Sequence, residues 1–181
     1  NNFAQLGDGS RSSRLVPVMS FEITQVQSLS VDYDYSCANT LVGTRLCWGQ
    51  DRQGETIGDG QAGIGQVAEP VIGVSDSVQL VSSLIHTCSL DSRGRVQCWG
   101  RNYYGTLGSL SLGVGEVRDV FGIDQPIRRL VAGGYHTCAK GVDERVQCWG
   151  LNTNSQLGDG TTSSRDRAIA VPALTPYTSF G

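Results

Sequence analysis

Residues 88–100 read Cys88-Ser-Leu-Asp-Ser-Arg-Gly-Arg-Val-Gln-Cys98-Trp99-Gly100: two cysteines bracketing nine residues, with Trp-Gly directly after the second. The same bracket occurs as Cys37…Cys47-Trp48-Gly49 and as Cys138…Cys148-Trp149-Gly150, so the period is 51 and then 50 residues. All six cysteines and all three tryptophans of the 181-residue chain fall in this pattern. A period of that length marks one supersecondary unit repeated. Repeated units share a continuous core and fold as one array, which overrides any domain count from length.

Inside a unit the bracket reads as a β-hairpin. Ser92-Arg93-Gly94 is turn chemistry flanked by short runs that suit strands. Folded symmetrically about Arg93, the hairpin sets Ser89 against Gln97 and Cys88 against Cys98, and the same arithmetic works about Val42 and Asp143. Directly opposed residues have Cβ atoms about 4.5–5.5 Å apart, close to what a disulfide needs. Cross-strand bridges Cys37–Cys47, Cys88–Cys98 and Cys138–Cys148 are the leading reading. Buried free thiols and a metal site are the alternatives. Zinc ligands usually come at Cys-x2–4-Cys spacing in sets of four, and the first unit has Tyr35 where the others have His86 and His136. Regular disulfides imply an oxidising compartment, so the chain is expected to be secreted or displayed at the cell surface.

The polar lead-ins align as well. Asn1, Asp51, Asn102 and Asn152 each begin a segment running to Leu6-Gly7-Asp8-Gly9, Ile57-Gly58-Asp59-Gly60, Leu107-Gly108 or Leu157-Gly158-Asp159-Gly160. Short apolar segments near a proline follow (Val16-Pro17-Val18, Pro70-Val71-Ile72, Ile169–Pro172), except that one unit reads Val117-Arg118-Asp119-Val120-Phe121. Strand-like runs come next at Val26–Val31, Ser77–Val81 and Ile127–Ala132. The chain therefore divides into repeats of about 1–50, 51–101 and 102–151, and a partial fourth at 152–181. That surplus segment, Ala168–Leu174 in particular, is expected to add a strand to the first or third unit. The chain opens Asn1-Asn2 without a methionine and is read as a mature or excised piece.

Glycine-rich turns (24 glycines), 39% apolar residues and no run of helical periodicity point to an all-β class of short antiparallel strands. With a period near 50 they suit propeller blades better than a helical solenoid. By strand alternation Trp48, Trp99 and Trp149 lie on the face opposite the cysteines, to be buried between blades. Gly49, Gly100 and Gly150 mark a tight bend at the strand exit.

Three stretches carry a family resemblance. They are Ala132-Gly-Gly-Tyr-His136-Thr-Cys138-Ala139, Val146-Gln-Cys148-Trp-Gly-Leu-Asn152 and Gln156-Leu-Gly-Asp-Gly160. Together they resemble the repeat of the RCC1 (regulator of chromosome condensation) family. His86-Thr-Cys88-Ser-Leu90 and Cys98-Trp-Gly-Arg-Asn102 echo it, and the first unit keeps Ser36-Cys37-Ala38 and Cys47-Trp48-Gly49. The resemblance implies a β-propeller, commonly of seven blades, which three and a half units do not close. The paired cysteines resemble those of secreted members rather than of the nuclear namesake. Open blade ends leave apolar faces and strand edges, so a protein partner or further copies of the chain are expected there.

The function this supports is a non-enzymatic extracellular structural or protein-interaction module, with self-association expected through its open ends. The alternative is a secreted carbohydrate-binding, lectin-like propeller using the aromatics Tyr103, Tyr104, Phe121 and Tyr135. Guanine-nucleotide exchange by analogy with the namesake has no support beyond the fold. A net charge of −3 and scattered arginines (Arg11, Arg14, Arg128, Arg129, Arg165, Arg167) argue against nucleic acid as a partner. The longest apolar run is far short of a membrane span. No cofactor is expected. Gly60–Gly65 is glycine-rich but precedes no helix, so it is not read as a phosphate cradle. His86 and His136, at equivalent strand positions and each followed by threonine, are read as structural rather than catalytic, bonding neighbouring backbone. Asp8, Asp59 and Asp159 are read as turn residues bonding their own backbone, with calcium as the alternative.

Overall fold

A computed structural model describes residues 1–21, 23–51, 63–74, 76–110 and 116–172. Among these residues the regular structure is all strand. The first sheet holds β1 (Val26–Val31), β2 (Tyr35–Thr40), β3 (Arg45–Asp51) and β4 (Gly63–Pro70). The second holds β5 (Ser77–Ser82), β6 (His86–Asp91), β7 (Val96–Gly100) and β8 (Arg118–Asp119). The third holds β9 (Ile127–Ala132), β10 (His136–Gly141), β11 (Val146–Gly150) and β12 (Arg165–Ala170). Every pairing is antiparallel and in chain order, so each sheet is a four-stranded meander, a blade. No helix among the described residues is long and apolar enough to cross a membrane.

The middle hairpins follow the expected symmetry: Ser89 faces Gln97, and the pairs Cys37–Cys47, Cys88–Cys98 and Cys138–Cys148 stand directly opposed. All three pairs are bridged, with Cα atoms 4.1 Å apart. The glycine after each tryptophan has a physical reason. Gly49, Gly100 and Gly150 adopt φ of 113°, 117° and 104°, a region in which side chains are strained. A Cβ there would lie 2.5 Å from the carbonyl oxygen of Asp34, Ile85 or Tyr135. The bend lets the next residue, Gln50, Arg101 or Leu151, donate its amide to that same carbonyl at 2.9, 2.7 and 2.8 Å.

Sheets and sequence repeats are out of phase. The segment 152–172 supplies β12 to the third blade, so three complete blades run from 26 to 170. The lead-in 1–21 lies ahead of the first blade. β8 is the shortest outer strand, at Val117–Phe121 where the sequence departs from its sister units. Gly63–Gly65 opens β4, while Asp59 and Gly60 lie outside the described residues.

A candidate interaction surface built from blade junctions

β1, β5 and β9 pack side by side, which makes them the inner strands of the array. Polar side chains stitch them together. The Gln79 amide donates to the Leu130 carbonyl (2.8 Å) and accepts from the Leu130 amide (2.9 Å), and Ser30 Oγ accepts from Ser82 N (2.7 Å).

Between blades the two faces of each hairpin have different tasks. The Cys37–Cys47 bridge lies in one core with Leu80 and Trp99 of the next blade, and Cys88–Cys98 lies in another with Leu130 and Trp149. Each disulfide thus faces forward and each tryptophan faces back. The indole N–H needs a partner once buried. Trp149 Nε1 donates to the Thr106 carbonyl at 3.0 Å and Trp48 Nε1 to the Gln5 carbonyl at 2.9 Å, both in the lead-in loop 43 residues earlier.

Those loops are organised by asparagines. Asn1, Asn102 and Asn152 accept from the amides of Leu6, Leu107 and Leu157 at 2.9–3.0 Å. Their side-chain amides donate forward to loop carbonyls: Ser10 and Ser12, Ser109, and Thr161 and Ser163. Asp8 and Asp159 bond their own turns through the amides of Ser10 and Thr161. Arg14 and Arg165 pair with these carboxylates. Hydrogen bonding from Ser10, opposed by desolvation and aided by Arg14, holds the Asp8 carboxyl down at about 2, and Arg165 depresses Asp159. Among the described residues no group of three or more His, Cys, Asp or Glu gathers as a metal set would.

In blades 1 and 2 the residue two before the first cysteine of the hairpin reaches into the following blade. Buried Tyr35 shares its hydroxyl proton between the Ser83 and His86 carbonyls (2.8 and 2.9 Å) and accepts from the Thr87 hydroxyl (2.9 Å). Burial pushes its pKa well above the ordinary value. His86 holds the equivalent place one blade on, with Nε2 2.7 Å from Thr137 Oγ1 and Nδ1 2.6 Å from Ser83 Oγ. Its partners are hydroxyls rather than the backbone groups read from the sequence. Full burial and the nearby His136 lower its pKa to about 3, so near neutrality it is a neutral tie. His136 is half-buried on the outward face of blade 3, and Gly133 stands there in place of the serine.

Three of the four aromatics considered for sugar stacking contact one another or an arginine. Tyr104 and Tyr135 meet edge to face with centroids 5.7 Å apart, and Arg101 lies over the Tyr103 ring at 5.5 Å. Phe121 is exposed.

The fold and its junctions define a β-propeller array of three stapled blades. The repeats themselves are RCC1-like: residues 79–106 and 127–156 match the regulator of chromosome condensation (RCC1) repeat. Human WBSCR16 is similar over 97% of this chain and 48% of its own, at 22% identity and a TM-score of 0.77. Prp20p of Saccharomyces cerevisiae, characterised for its binding to Gsp1p and histones, is similar over 94% of this chain and 44% of its own, at 14% identity and a TM-score of 0.79. A second structure of yeast RCC1 (Prp20), with Kap60 bound to it, gives the same score and identity over 43% of its length. The chain spans less than half the length of these structures.

Proposed function

We propose that the chain is a non-catalytic, extracellular protein-interaction module whose contacts run through its open blade ends, further copies of the chain included among its partners. One observation carries this reading. The repeat position occupied by Leu29, Leu80 and Leu130 is 62%, 5% and 0% exposed, so a core leucine lies open on blade 1. Exposed apolar patches of this sort on folded proteins are contact sites. The three cross-strand bridges support an oxidising environment, and the binding of Prp20p to proteins is the precedent among similar folds. His86 is locked between two hydroxyls and stays neutral near pH 7, which supports a structural rather than a catalytic role.

The test is site-specific photo-crosslinking of the oxidised full chain in extracellular fluid of its source. A photo-reactive group at Leu29 should capture a protein, and one at Tyr103 should capture markedly less. Capture of glycan, or preferential capture at Tyr103, would refute the reading.

A further inference from the structure

The turn between β1 and β2 reads Val31-Asp32-Tyr33-Asp34-Tyr35. Of the six tyrosines in the chain, Tyr33 alone stands between two carboxylates, and it is 78% exposed. The backbone is held on both sides of the ring. The Asp32 amide donates to the Tyr35 carbonyl at 3.0 Å, the Gln50 amide to the Asp34 carbonyl at 2.9 Å, and Gln5 Nε2 to the Tyr33 carbonyl at 3.4 Å. Asp32 itself turns back to accept from the Tyr33 amide. The phenol is therefore displayed on a fixed turn.

The repeat shows that the fold does not require this chemistry. The matching turns are Ser83-Leu84-Ile85 in blade 2 and Gly133-Gly134-Tyr135 in blade 3, with no carboxylate in either. Both close with the same backbone bond, from Ser83 to His86 and from Gly133 to His136, at 2.9 Å. On blade 1 the carboxylates even oppose one another: burial raises the Asp32 pKa, and the Asp34 charge adds to the rise. No lysine or arginine occurs between Arg14 and Arg45, and every charged residue in that span is acidic.

We infer that Tyr33 is a site of O-sulfation. The acceptor is the Tyr33 phenol and the donor is a nucleotide phosphosulfate. The phenolic oxygen attacks the sulfur of the donor, so an O–S bond forms and the bond from sulfur to the phosphate oxygen breaks. The phenol proton passes to a base of the transferase, the electron pair of the broken bond leaves on the nucleotide phosphate, and nothing is oxidised or reduced. A transferase that holds an anionic donor is cationic around its cleft, and carboxylates on both sides of the acceptor steer the turn into that field. Sulfation of protein tyrosines belongs to the secretory route, so the inference rests on the extracellular reading and deepens it. Exposure in the folded chain decides which tyrosine qualifies. Tyr35 shares the acidic surroundings, but it is buried and its hydroxyl is taken up by Ser83, His86 and Thr87. Tyr103 is exposed, but a cation, Arg101, lies over its ring. The product adds one permanent negative charge beside Asp32 and Asp34.

The test incubates the oxidised full chain with a tyrosylprotein sulfotransferase and a radiolabelled phosphosulfate, and locates the label by peptide mapping. Label should enter Tyr33 about tenfold faster or more than Tyr35, Tyr103 or Tyr104, and Tyr33→Phe should remove it. Asp32→Asn with Asp34→Asn should slow incorporation by about tenfold or more, with the three disulfides intact. Asp32→Asn alone falls where the sister turns carry serine and glycine, so it keeps the fold, and it should slow incorporation by about threefold or more. No label, label spread evenly over the exposed tyrosines, or labelling indifferent to the Asp32 substitution would overturn the inference. None of these results bears on photo-crosslinking at Leu29, so failure here is separable from failure of the interaction reading.

Discussion

Leu29, Leu80 and Leu130 occupy one repeat position in three environments, and truncating each to alanine measures the junction directly. Leu130 is fully enclosed beneath Trp149 and the Cys88–Cys98 bridge, and its backbone is pinned by Gln79. Removing three buried carbons there loses their transfer free energy and leaves a cavity that the stapled hairpins cannot collapse. Leu130→Ala should cost about 3–4 kcal/mol, and Leu80→Ala about 3 kcal/mol. Leu29 is 62% exposed and solvent already reaches it, so Leu29→Ala should cost less than about 1 kcal/mol. In urea, with a slope of about 2 kcal/mol per molar, the midpoint falls by about 1.5–2 M for Leu130→Ala and by less than about 0.5 M for Leu29→Ala. The measurement is equilibrium unfolding of the oxidised chain at several low-micromolar concentrations, with slopes compared among variants. A Leu29→Ala midpoint shift equal to that of Leu130→Ala and independent of concentration would show blade 1 to be covered from within the chain. The open-end argument would then be wrong.

Tyr35→Phe keeps the ring and removes the hydroxyl that ties blade 1 to Ser83, His86 and Thr87. It should cost about 1–3 kcal/mol in the same assay, and a neutral result would show that the tie contributes nothing. His86 is protonated more easily in the unfolded chain than in the folded one. Its contribution is therefore fully present above pH 6.5 and is lost as pH falls from 6.5 towards 3, by an amount on the order of 4 kcal/mol. Stability followed over that range in wild type and His86→Gln should converge with falling pH, and parallel curves would contradict burial of a neutral ring. Cys88→Ala with Cys98→Ala opens a ten-residue loop and should lower stability by about 3 kcal/mol, read as a loss of urea midpoint; no change would mean the bridge is not a constraint. Asn152→Ala removes the acceptor for Leu157 N and the donor to two loop carbonyls; about 2–3 kcal/mol is expected, with faster exchange at the Leu157 amide as the local readout.

The inner strands were legible almost to the residue, because Val26–Val31 and Ile127–Ala132 stand between turn signals at fixed distance from a cysteine. The hairpin was legible because equal counts on either side of Arg93 leave one register. The phase of the blades was not legible in the same way. The Leu107 segment looks like the start of a unit, and its cap on Trp149 joins it to the blade that follows. Its later strand β8 nevertheless hydrogen-bonds to the blade that precedes, as β12 does after Leu157, and side-chain spacing does not reveal backbone partners. The blade-to-blade ties were missed too. A signal existed in the pairing of Tyr35 with Thr87 and of His86 with Thr137, a large polar group meeting a hydroxyl one repeat on. The asparagines were noticed as unit starts, but their hub geometry depends on loop carbonyls that no motif displays.

That double allegiance of the lead-in has a consequence for how the array behaves. In a simple repeat protein each unit contacts its neighbours through side chains only, and stability approximates a sum of unit and interface energies. Here residues 102–121 belong to blade 2 through β8 and to blade 3 through the Trp149 cap, so neither blade can open without disturbing the segment that completes the other. The overlap raises the coupling between blades above what the buried leucines alone supply. It also makes the ends unequal. Blade 3 keeps its outer strand and buries Cys148 and Leu157 on its far face, whereas on blade 1 the lead-in caps Trp48 and leaves Leu29 open. At blade 1 the lead-in therefore encloses the tryptophan without enclosing the leucine beside it, so Leu29 is the position at which the contact reading is tested.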